Sequence, residues 1–434
     1  MVPSCLYREA VSVNKPLTLD GGGHAEIRGS DIWTDWTPTG SQWVSVNTVP
    51  NFGLDPNGMN FAGQHLEQVF LDGTQLTQVV SYPTPSQFAL DGARHVILAV
   101  TPAGHTVEVT TRTYWAVGSA DSITWTGWTM RHAATLANGH ALGNDDHSRW
   151  TLENSALADV HGTMVGVGGQ GSFETVANST LTGAGDLAIA GPMANYAVIQ
   201  GNTITNSGRG GYDWGWQAGG VKLVAGTGQV VTANTVYGNG GPGLWWDIGS
   251  SKATVSGNRV HDNVGPQIHF EISDGASIHD NVVWNTLGNT TNVGIYISSS
   301  GNVEVYNNTV YDPNAATGIQ AIDDNRGDKP ATSGMNINIH DNNIVQQIDG
   351  TPGLKWWDYG SGTISRSASN NHGTNNHFWY AVPESGAPRF EWGPSSFGSL
   401  LSFVQTPGGV GSSYLSDAAK NQLLTSLGIP TPGS

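Results

Sequence analysis

The sequence predicts an all-β protein whose main part is a right-handed parallel β-helix, a solenoid of stacked coils. Three observations support this prediction: a short strand phrase recurs at intervals of 23 to 34 residues, no helical period accompanies it, and 59 of the 434 residues are glycine. Short repeats of strands without helices are typical of β-helical solenoids. Because strands of successive coils would pair in parallel, the crossover between them should be right-handed.

Eight asparagines mark the repeat. Each follows β-branched residues that alternate with polar ones, and each precedes another short strand. An Asn at a corner can hydrogen-bond the backbone of its own turn and the Asn of the next coil, and it tolerates left-handed backbone conformations. We therefore predict a stacked column of asparagines along one corner of the coils. The eight positions are Asn154, Asn178, Asn202, Asn234, Asn258, Asn281, Asn308 and Asn342.

Departures from the repeat predict the domain organisation. The stretch after the opening strands breaks the period with alternating strands and with Asp-Gly and Pro-containing turns, which are typical of antiparallel hairpins. Near the C-terminus we predict a helix with Ser416 as its N-cap, ended by Gly428 and Pro430. The predicted segments are a first coil, an inserted β-sandwich or meander, the main β-helix and a C-terminal cap, at residues 1–30, 31–108, 109–384 and 385–434.

Charge and composition exclude several classes of function. Seventeen basic residues stand against 34 acidic ones, and a net charge of −17 repels nucleic acid and disfavours polyuronate substrates. No apolar run approaches the roughly 20 residues that span a bilayer, so we expect no membrane segment. Cys5 is the only cysteine, which excludes a disulfide framework and a thiolate metal site. A neutral partner is therefore favoured.

Two similar phrases, GLWWDI (243–248) and QIHFEIS (267–273), lie one repeat apart. Because side chains alternate across a strand, the apolar residues of each phrase should fill the interior of the coil and the others should face outward. The expected interior residues are Leu244, Trp246, Ile248, Ile268, Phe270 and Ile272. The expected outward residues are Trp245, Asp247, His269 and Glu271.

The neighbouring coils extend these outward positions into two columns. One column is predicted to contain Lys222, Trp245, His269 and Tyr296, and the other Asp247, Glu271 and Ser298. Adjacent strands lie about 4.8 Å apart. Asp247 and Glu271 would then approach the roughly 5–5.5 Å separation of the carboxyl groups in retaining glycosidases. Their mutual repulsion should raise one pKa, which leaves one carboxyl protonated and the other ionised.

Simpler explanations of the same residues stay open. The stacked acids can form a solvated face or bind a calcium ion. The inserted loop that contains Trp214, Trp216 and Gln217 can wall a cleft or can pack as a hydrophobic plug. Arg326, in the segment AIDDNRGDKP with Asp323 and Asp324, can contact substrate or belong to a solvated turn, and the solvated turn is favoured.

Taken in order, GWQAGGVK, GLWWDI, HDN and FEIS resemble secreted bacterial right-handed β-helix proteins, and more narrowly the β-helix glycoside hydrolases related to β-xylosidases. In that group an Asp at the end of a GLW-x-D strand is the nucleophile, and a Glu one coil later is the acid/base. The resemblance implies these roles for Asp247 and Glu271, together with secretion, although no signal peptide opens this chain. Such relatives commonly have Glu where this chain has Gln217.

The leading functional prediction is a retaining glycoside hydrolase that acts on a neutral poly- or oligosaccharide without a cofactor or metal. Asp247 and Glu271 would be catalytic. The expected substrate-binding residues are Trp214, Trp216, Gln217, Lys222, Trp245, His269, Tyr296 and Arg326. Two alternatives stay open. One is a polysaccharide lyase or epimerase with Lys222 or His269 as its base. The other is a non-catalytic carbohydrate-binding protein, which Gln217 in place of the Glu common in such relatives makes harder to dismiss.

Overall fold

A computed structural model describes residues 1–144, 146–169, 171–288, 291–324 and 326–430. Contacts divide the chain into two compact units. Unit 1 comprises Met1–Ala190 and Ile204–Gly219, and unit 2 comprises Gly191–Thr203 and Gly220–Ser434. Both units contain coils of parallel β-helix, which confirms the predicted fold class. Strands with residues in both units are Leu187–Pro192, Thr203–Thr205 and Gly219–Val224.

The β-helix coils of unit 1 consist of short strands that pair in parallel with the next coil. Trp125, Met130, Leu152 and Leu181 alternate inward along these strands and are buried. One group of strands is Leu6–Tyr7, Thr18–Arg28, Thr124–Ala133, Thr151–Glu153, Ala156–Val160, Thr175–Ala177 and Thr180–Ala184. The second group is Val11–Val13, Ala116–Gly118, Leu142–Asn144, Val165–Gly166 and Leu187–Pro192.

Two further sheets of unit 1, almost entirely antiparallel, form the predicted inserted sandwich. The five-stranded sheet contains Trp36–Thr39, Gln42–Thr48, His95–Leu98, Gln87–Leu90 and Thr77–Gln78. The four-stranded sheet contains Ser30–Ile32, Val107–Thr110, Val69–Leu71 and Thr74–Gln75. Phe88, Val96 and Leu98 of the first sheet pack against Val69 and Val107 of the second in one buried cluster. The alternating apolar residues of the strands therefore meet between the sheets.

Unit 2 has three parallel ladders of strands. The first contains Val198–Gln200, Val230–Thr232, Ser251–Ser256, Asp274–His279, Gly301–Tyr306, Ile337–His340 and His372–Thr374. The second contains Thr235–Tyr237, Arg259–His261, Val282–Trp284, Thr309–Asp312, Asn343–Gln346, His377–Tyr380 and Ser413–Tyr414. The third, named the site ladder, contains Gly219–Val224, Leu244–Asp247, Ile268–Glu271, Val293–Ser298, Thr317–Asp323, Leu354–Asp358 and Phe390–Trp392, with Ser395–Phe397 added antiparallel at its end.

The asparagine column is present in unit 2 from Asn202 to Asn342, and it continues to Asn376. From Asn202 to Asn342 each side chain donates to the Asn of the following coil, so each column residue from Asn234 to Asn376 accepts from the one before it. The prediction was wrong for Asn154 and Asn178, which lie exposed at the corner.

The error at those two positions has a conformational cause. The corner requires a left-handed residue, and Asn154 and Asn178 take it with φ of 52° and 48°. The buried column position follows one residue later, at Ser155 and Ser179. In the later coils Gly, Ala, Asp or Asn fills the left-handed position, so the column residue there is the Asn.

The C-terminal tail contains two helices with different positions. The helix Asp417–Ser426 begins at Ser416, whose side chain accepts from the Ala419 N–H as predicted, and its Leu424 packs on Trp284, Tyr311 and Trp379 on the outside of the second ladder. The short helix Leu400–Phe403 places Phe403 on Phe390, with ring centroids 4.8 Å apart. The remaining helical segments are Phe61–Gln64 and the 3-10 turn Ser367–Ser369. No helix in the described ranges is long and apolar enough to cross a membrane.

Candidate active site

The site ladder aligns the predicted outward residues in one row. Lys222 pairs with Trp245, Trp245 with His269, and His269 with Tyr296, on four successive strands. Glu271 pairs with Ser298 in the adjacent row. The parallel register therefore brings residues about two dozen positions apart in the chain to the spacing of neighbouring strands, about 4.8 Å.

A sharp corner follows each acid and corrects one prediction. Ile248 and Ile272 have φ of 39° and 47°, so the strands end at Asp247 and Glu271. The alternation of faces stops where the strand stops. Ile248, predicted to be interior, is 49% exposed, whereas Ile272 is buried as predicted. Each carboxylate thus occupies the last strand position before a left-handed turn.

Asp247 is a buried carboxylate with a buried cation beside it. Lys222 Nζ lies 2.9 Å from Asp247 Oδ2, and the two side chains are 9% and 8% exposed. The Ile248 N–H donates to Asp247 Oδ1 at 2.8 Å. Lys222 Nζ also lies 3.5 Å from the centre of a Trp245 ring. The ion pair and the backbone donor together compensate a negative charge that burial alone would disfavour.

Glu271 has different surroundings. Arg326 Nη1 donates to its Oε1 at 2.7 Å, and the Trp245 indole N–H donates to its Oε2 at 3.2 Å. Burial raises the pKa of Glu271, and the nearby charges of Arg326 and Lys222 oppose this effect without reversing it. A raised pKa on one carboxyl was predicted, but the cause is burial and not repulsion from Asp247. Burial therefore favours the protonated form of Glu271.

Three aromatic rings form a stack along the row. The Trp245 and His269 centroids are 5.4 Å apart and those of His269 and Tyr296 are 4.7 Å apart, with interplanar angles of 13° and 14°. Burial lowers the pKa of His269 to about 3, so its ring is neutral at physiological pH. Lys222 covers one face of Trp245 and His269 covers the other. Trp245 therefore offers its N–H edge to Glu271 rather than an open face.

A solvated turn was favoured for the segment around Arg326, but its charged side chains make several hydrogen bonds and ion pairs. Asp323 is buried and accepts from Lys329 Nζ at 2.8 Å and from Ser333 Oγ at 2.5 Å. Ser298 Oγ donates to Asp324 at 3.3 Å, and burial raises the pKa of Asp324. Arg326, 37% exposed, bridges Glu271 and Asp328. The solvated-turn prediction was wrong for Asp323.

The predicted cleft loop belongs to unit 1, and its aromatic residues differ in exposure. Tyr212 donates from its hydroxyl to Asp55 at 3.0 Å and packs with Ala137 and Ala218. Trp214 packs partly buried against this cluster, whereas Trp216 is 41% exposed. Part of the loop therefore forms a hydrophobic plug, and Trp216 is the tryptophan that remains accessible.

Gln217 is buried and its amide is used as a donor. Its Nε2 donates to Asp186 Oδ2 at 2.5 Å and to the Ala137 carbonyl at 2.8 Å. A glutamate at this position would set a carboxylate against two acceptors, so Asp186 accounts for an amide here. Asp186 was not predicted as a partner of Gln217. The only available signal was an acid at the start of the apolar strand Leu187–Pro192.

The site contains no evident metal cluster. Within the described ranges, no group of three or more His, Cys, Asp or Glu side chains is arranged to hold a metal ion. The groups brought together in unit 2 are two carboxyls, two cations and three stacked rings. Proton transfer and nucleophilic attack are the chemistry that such groups can perform without a cofactor.

Comparisons with known proteins agree with this architecture. A family model described as "Right handed beta helix region" matches residues 141–310. No curated protein sequence matches the chain. The structure of XylC in complex with xylose is similar with a TM-score of 0.67 and 16% identity, over 90% of this chain and 80% of that chain.

Weaker likenesses concern two epimerases. The A-module of the Azotobacter vinelandii mannuronan C-5 epimerase AlgE6 has a TM-score of 0.46 and 13% identity, over 69% of this chain and 80% of that one. A double mutant of the periplasmic alginate epimerase AlgG has a TM-score of 0.44 and 12% identity, over 69% of this chain and 70% of that one. The family model and the XylC likeness together show that this chain is a right-handed parallel β-helix protein.

Proposed function

We propose that the chain is a retaining glycoside hydrolase in which Asp247 is the nucleophile and Glu271 the acid/base. The observation that supports this most is the difference between two carboxyls at the ends of neighbouring strands. Asp247 is paired with buried Lys222, whereas burial raises the pKa of Glu271. A retaining glycosidase uses one ionised carboxyl and one protonated carboxyl, which lie about 5–5.5 Å apart.

In the first step the Glu271 proton moves to the glycosidic oxygen as the bond between that oxygen and the anomeric carbon breaks. An Asp247 oxygen forms a bond to the anomeric carbon, which gives a glycosyl ester and releases the leaving sugar as an alcohol. The Ile248 N–H keeps its hydrogen bond to Asp247 Oδ1. Oδ2 is therefore the oxygen that gives up its contact with Lys222 and bonds to the anomeric carbon. Lys222 then remains near the sugar hydroxyls.

In the second step Glu271, now ionised, takes a proton from a water molecule. The water oxygen bonds to the anomeric carbon as the ester bond to Asp247 breaks, so both carboxyls return to their starting states. Arg326 stabilises ionised Glu271 between the two steps. Because Arg326 is the most exposed of these charged groups, we propose that the substrate displaces it from Oε1 on binding.

The remaining residues would position the substrate. We propose that His269 and Tyr296 hydrogen-bond sugar hydroxyls from the ring stack. A neutral substrate fits a chain of charge −17. Since the similar structure of XylC is a complex with xylose, a β-xyloside is the first substrate to test. The resemblance of the motifs to secreted enzymes supports action outside the cell.

One observation favours a second candidate, a lyase or epimerase acting on a uronate. The His269 imidazole stacks on the Tyr296 phenol, two groups that can exchange protons, and the Arg326 charge complements a substrate carboxylate. A lyase would release unsaturated products that absorb in the ultraviolet. Incubation with polyuronates, followed at those wavelengths, separates this candidate from hydrolysis.

The deciding experiment compares Asp247→Asn and Glu271→Gln on a series of aryl β-D-xylosides. Both variants should lose at least about 10³-fold in kcat on a substrate with a poor leaving group. A good leaving group such as dinitrophenolate needs no protonation, so Glu271→Gln should still release it in a burst while Asp247→Asn should not.

Glu304→Gln is the matched control, because Glu304 is an exposed carboxylate on a strand of the first ladder. It should retain full activity. The assignment of Asp247 and Glu271 fails if either variant hydrolyses the poor substrate at the rate of this control.

A further inference from the structure

Unit 1 contains a cavity that shares no residue with the candidate active site. Its volume is about 400 Å³, within the range of about 300–1,000 Å³ typical of small-molecule sites. The wall on the sandwich side includes Glu67, Gln75, Thr77 and Gln78, and the opposite wall includes Asp159. The cavity therefore lies where the inserted sandwich meets the β-helix coils of the same unit.

Two residues that line this cavity, Glu67 and Gln78, each have a buried acceptor without a donor among the described residues. Within the part of the chain that the structure describes, no hydrogen-bond partner reaches Glu67 Oε2 or Gln78 Oε1, although both atoms are buried. Arg94 occupies only the other oxygen of Glu67. A buried acceptor without a donor costs free energy, which a hydroxyl or amide that reaches it would recover. The wall is thus suited to a ligand that donates hydrogen bonds.

The charges around the cavity are nearly balanced. Glu67 is paired with Arg94, and Arg131 Nη1 lies 3.9 Å from Asp159 Oδ2. Arg209 also lines the cavity. Burial raises the pKa of Asp159, which reduces its charge near neutral pH. An isolated cation or anion would gain little here, whereas a neutral ligand would not disturb the existing pairs.

Apolar surface completes the wall. Leu76, Val160 and Ala184 line the same cavity. A sugar ring presents hydroxyl donors at its rim and C–H groups on its faces, which match the acceptors and the apolar residues respectively. We propose that this cavity is a second carbohydrate site, which binds a neutral mono- or disaccharide without cleaving it.

Calorimetric titration of D-xylose and D-glucose tests the proposal. The parent protein should carry Asp247→Asn, so that turnover does not consume the sugar. Thr77→Trp fills the cavity from a strand at its edge, and Thr74→Trp, on the neighbouring strand and outside the lining, is the matched control. We expect Thr77→Trp to weaken binding at the cavity at least 10-fold and Thr74→Trp to leave it unchanged.

A second variant keeps the test valid if Thr77→Trp misfolds. Gln78→Leu removes one acceptor at nearly constant size, and it should weaken the same binding event by several-fold. The proposal is overturned if neither sugar binds, if binding survives both variants, or if sodium D-glucuronate binds more tightly than D-glucose. Binding that persists after Asp247→Asn and Glu271→Gln, yet disappears in Thr77→Trp, supports the cavity whatever the fate of the hydrolase proposal.

Discussion

The candidate active site of unit 2 and the cavity of unit 1 both contain buried polar groups, but these groups differ in whether they have hydrogen-bond or ion-pair partners. In the site, Asp247 is paired with Lys222, and Glu271 with Arg326 and Trp245. In the cavity, Glu67 Oε2 and Gln78 Oε1 are buried with no donor from the described residues. Substitutions in the site should therefore cost stability as well as function, whereas some substitutions in the cavity should cost only binding.

The largest effect is expected for Lys222→Met. It leaves the Asp247 carboxylate buried without its cation, and breaking a buried pair from one side costs about 3–5 kcal/mol. Urea unfolding should show this loss. Adding Asp247→Asn to Lys222→Met should recover part of it, because the unpaired charge is then absent.

Lys355→Met is the matched control for this prediction. Lys355 stands in the same row of the site ladder and lies 3.1 Å from Glu391, but it is 25% exposed. A partly solvated pair contributes about 1 kcal/mol or less. An equal loss in both variants would contradict the view that burial makes the Asp247 pair special.

Alternation within strands and a constant coil interval were enough to predict the row of Lys222, Trp245, His269 and Tyr296. Both are local properties that the chain repeats, so the register of one coil predicts the next. The left-handed corners at Ile248 and Asn154 were not predicted. Several residue types tolerate φ near 50°, and the sequence pattern does not show which of two neighbouring residues adopts this conformation.

The cavity was not predicted because its walls come from distant segments. Glu67 and Thr77 belong to the insertion, while Asp159 and Arg209 belong to segments more than 80 residues later. No periodicity relates these positions, and only the packing of the sandwich on the coils brings them together. Asp186 beside Gln217 escaped for the same reason, since 31 residues separate the two partners.

The second prediction compares the corner columns of the two units. Asn258 accepts from the backbone and side-chain amides of Asn234 and donates to Val231 O and Asn281 Oδ1, all at 2.9–3.0 Å. Asn258→Ala should destabilise the protein by about 3 kcal/mol, because it leaves several buried hydrogen-bonding groups without a partner. Thermal unfolding monitored by circular dichroism measures the loss.

Ser179→Ala supplies the contrast from unit 1. Ser179 accepts from the Ser155 N–H and donates to Ala177 O, and its hydroxyl has one donor where the Asn amide has two. Its removal should cost about 1 kcal/mol. If the two variants lose the same stability, the amide side chain of Asn stabilises the corner no more than the hydroxyl of Ser.

The third prediction concerns pH. Burial raises the pKa of Glu271 and Arg326 partly offsets the rise, so Arg326→Gln should raise this pKa further. The proposed acid is active when protonated, and activity falls as pH rises through its pKa. The alkaline limb of kcat/KM on an aryl β-D-xyloside should therefore move to higher pH.

Asp328→Asn serves as the control for the pH profile. It removes the other partner of Arg326 but leaves the contact between Arg326 and Glu271 in place. The alkaline limb should stay where it is or move slightly to lower pH. Arg326 then pairs with Glu271 alone and stabilises its ionised form at least as well as before. A shift of the limb to lower pH in Arg326→Gln would mean that Glu271 is not the titrating acid.

The smallest effect on stability is expected for Gln78→Leu in the cavity. Its Oε1 has no donor within the described chain, so the substitution removes an unsatisfied acceptor and should change stability by less than about 0.5 kcal/mol. Gln217→Leu, in the same unit, removes a buried donor from Asp186 and Ala137 O and should cost about 1–3 kcal/mol. Chemical denaturation of the two variants side by side measures the difference. A loss in Gln78→Leu as large as in Gln217→Leu would mean that Oε1 is satisfied in solution, and the cavity would then lose its main argument for a hydroxyl-bearing ligand.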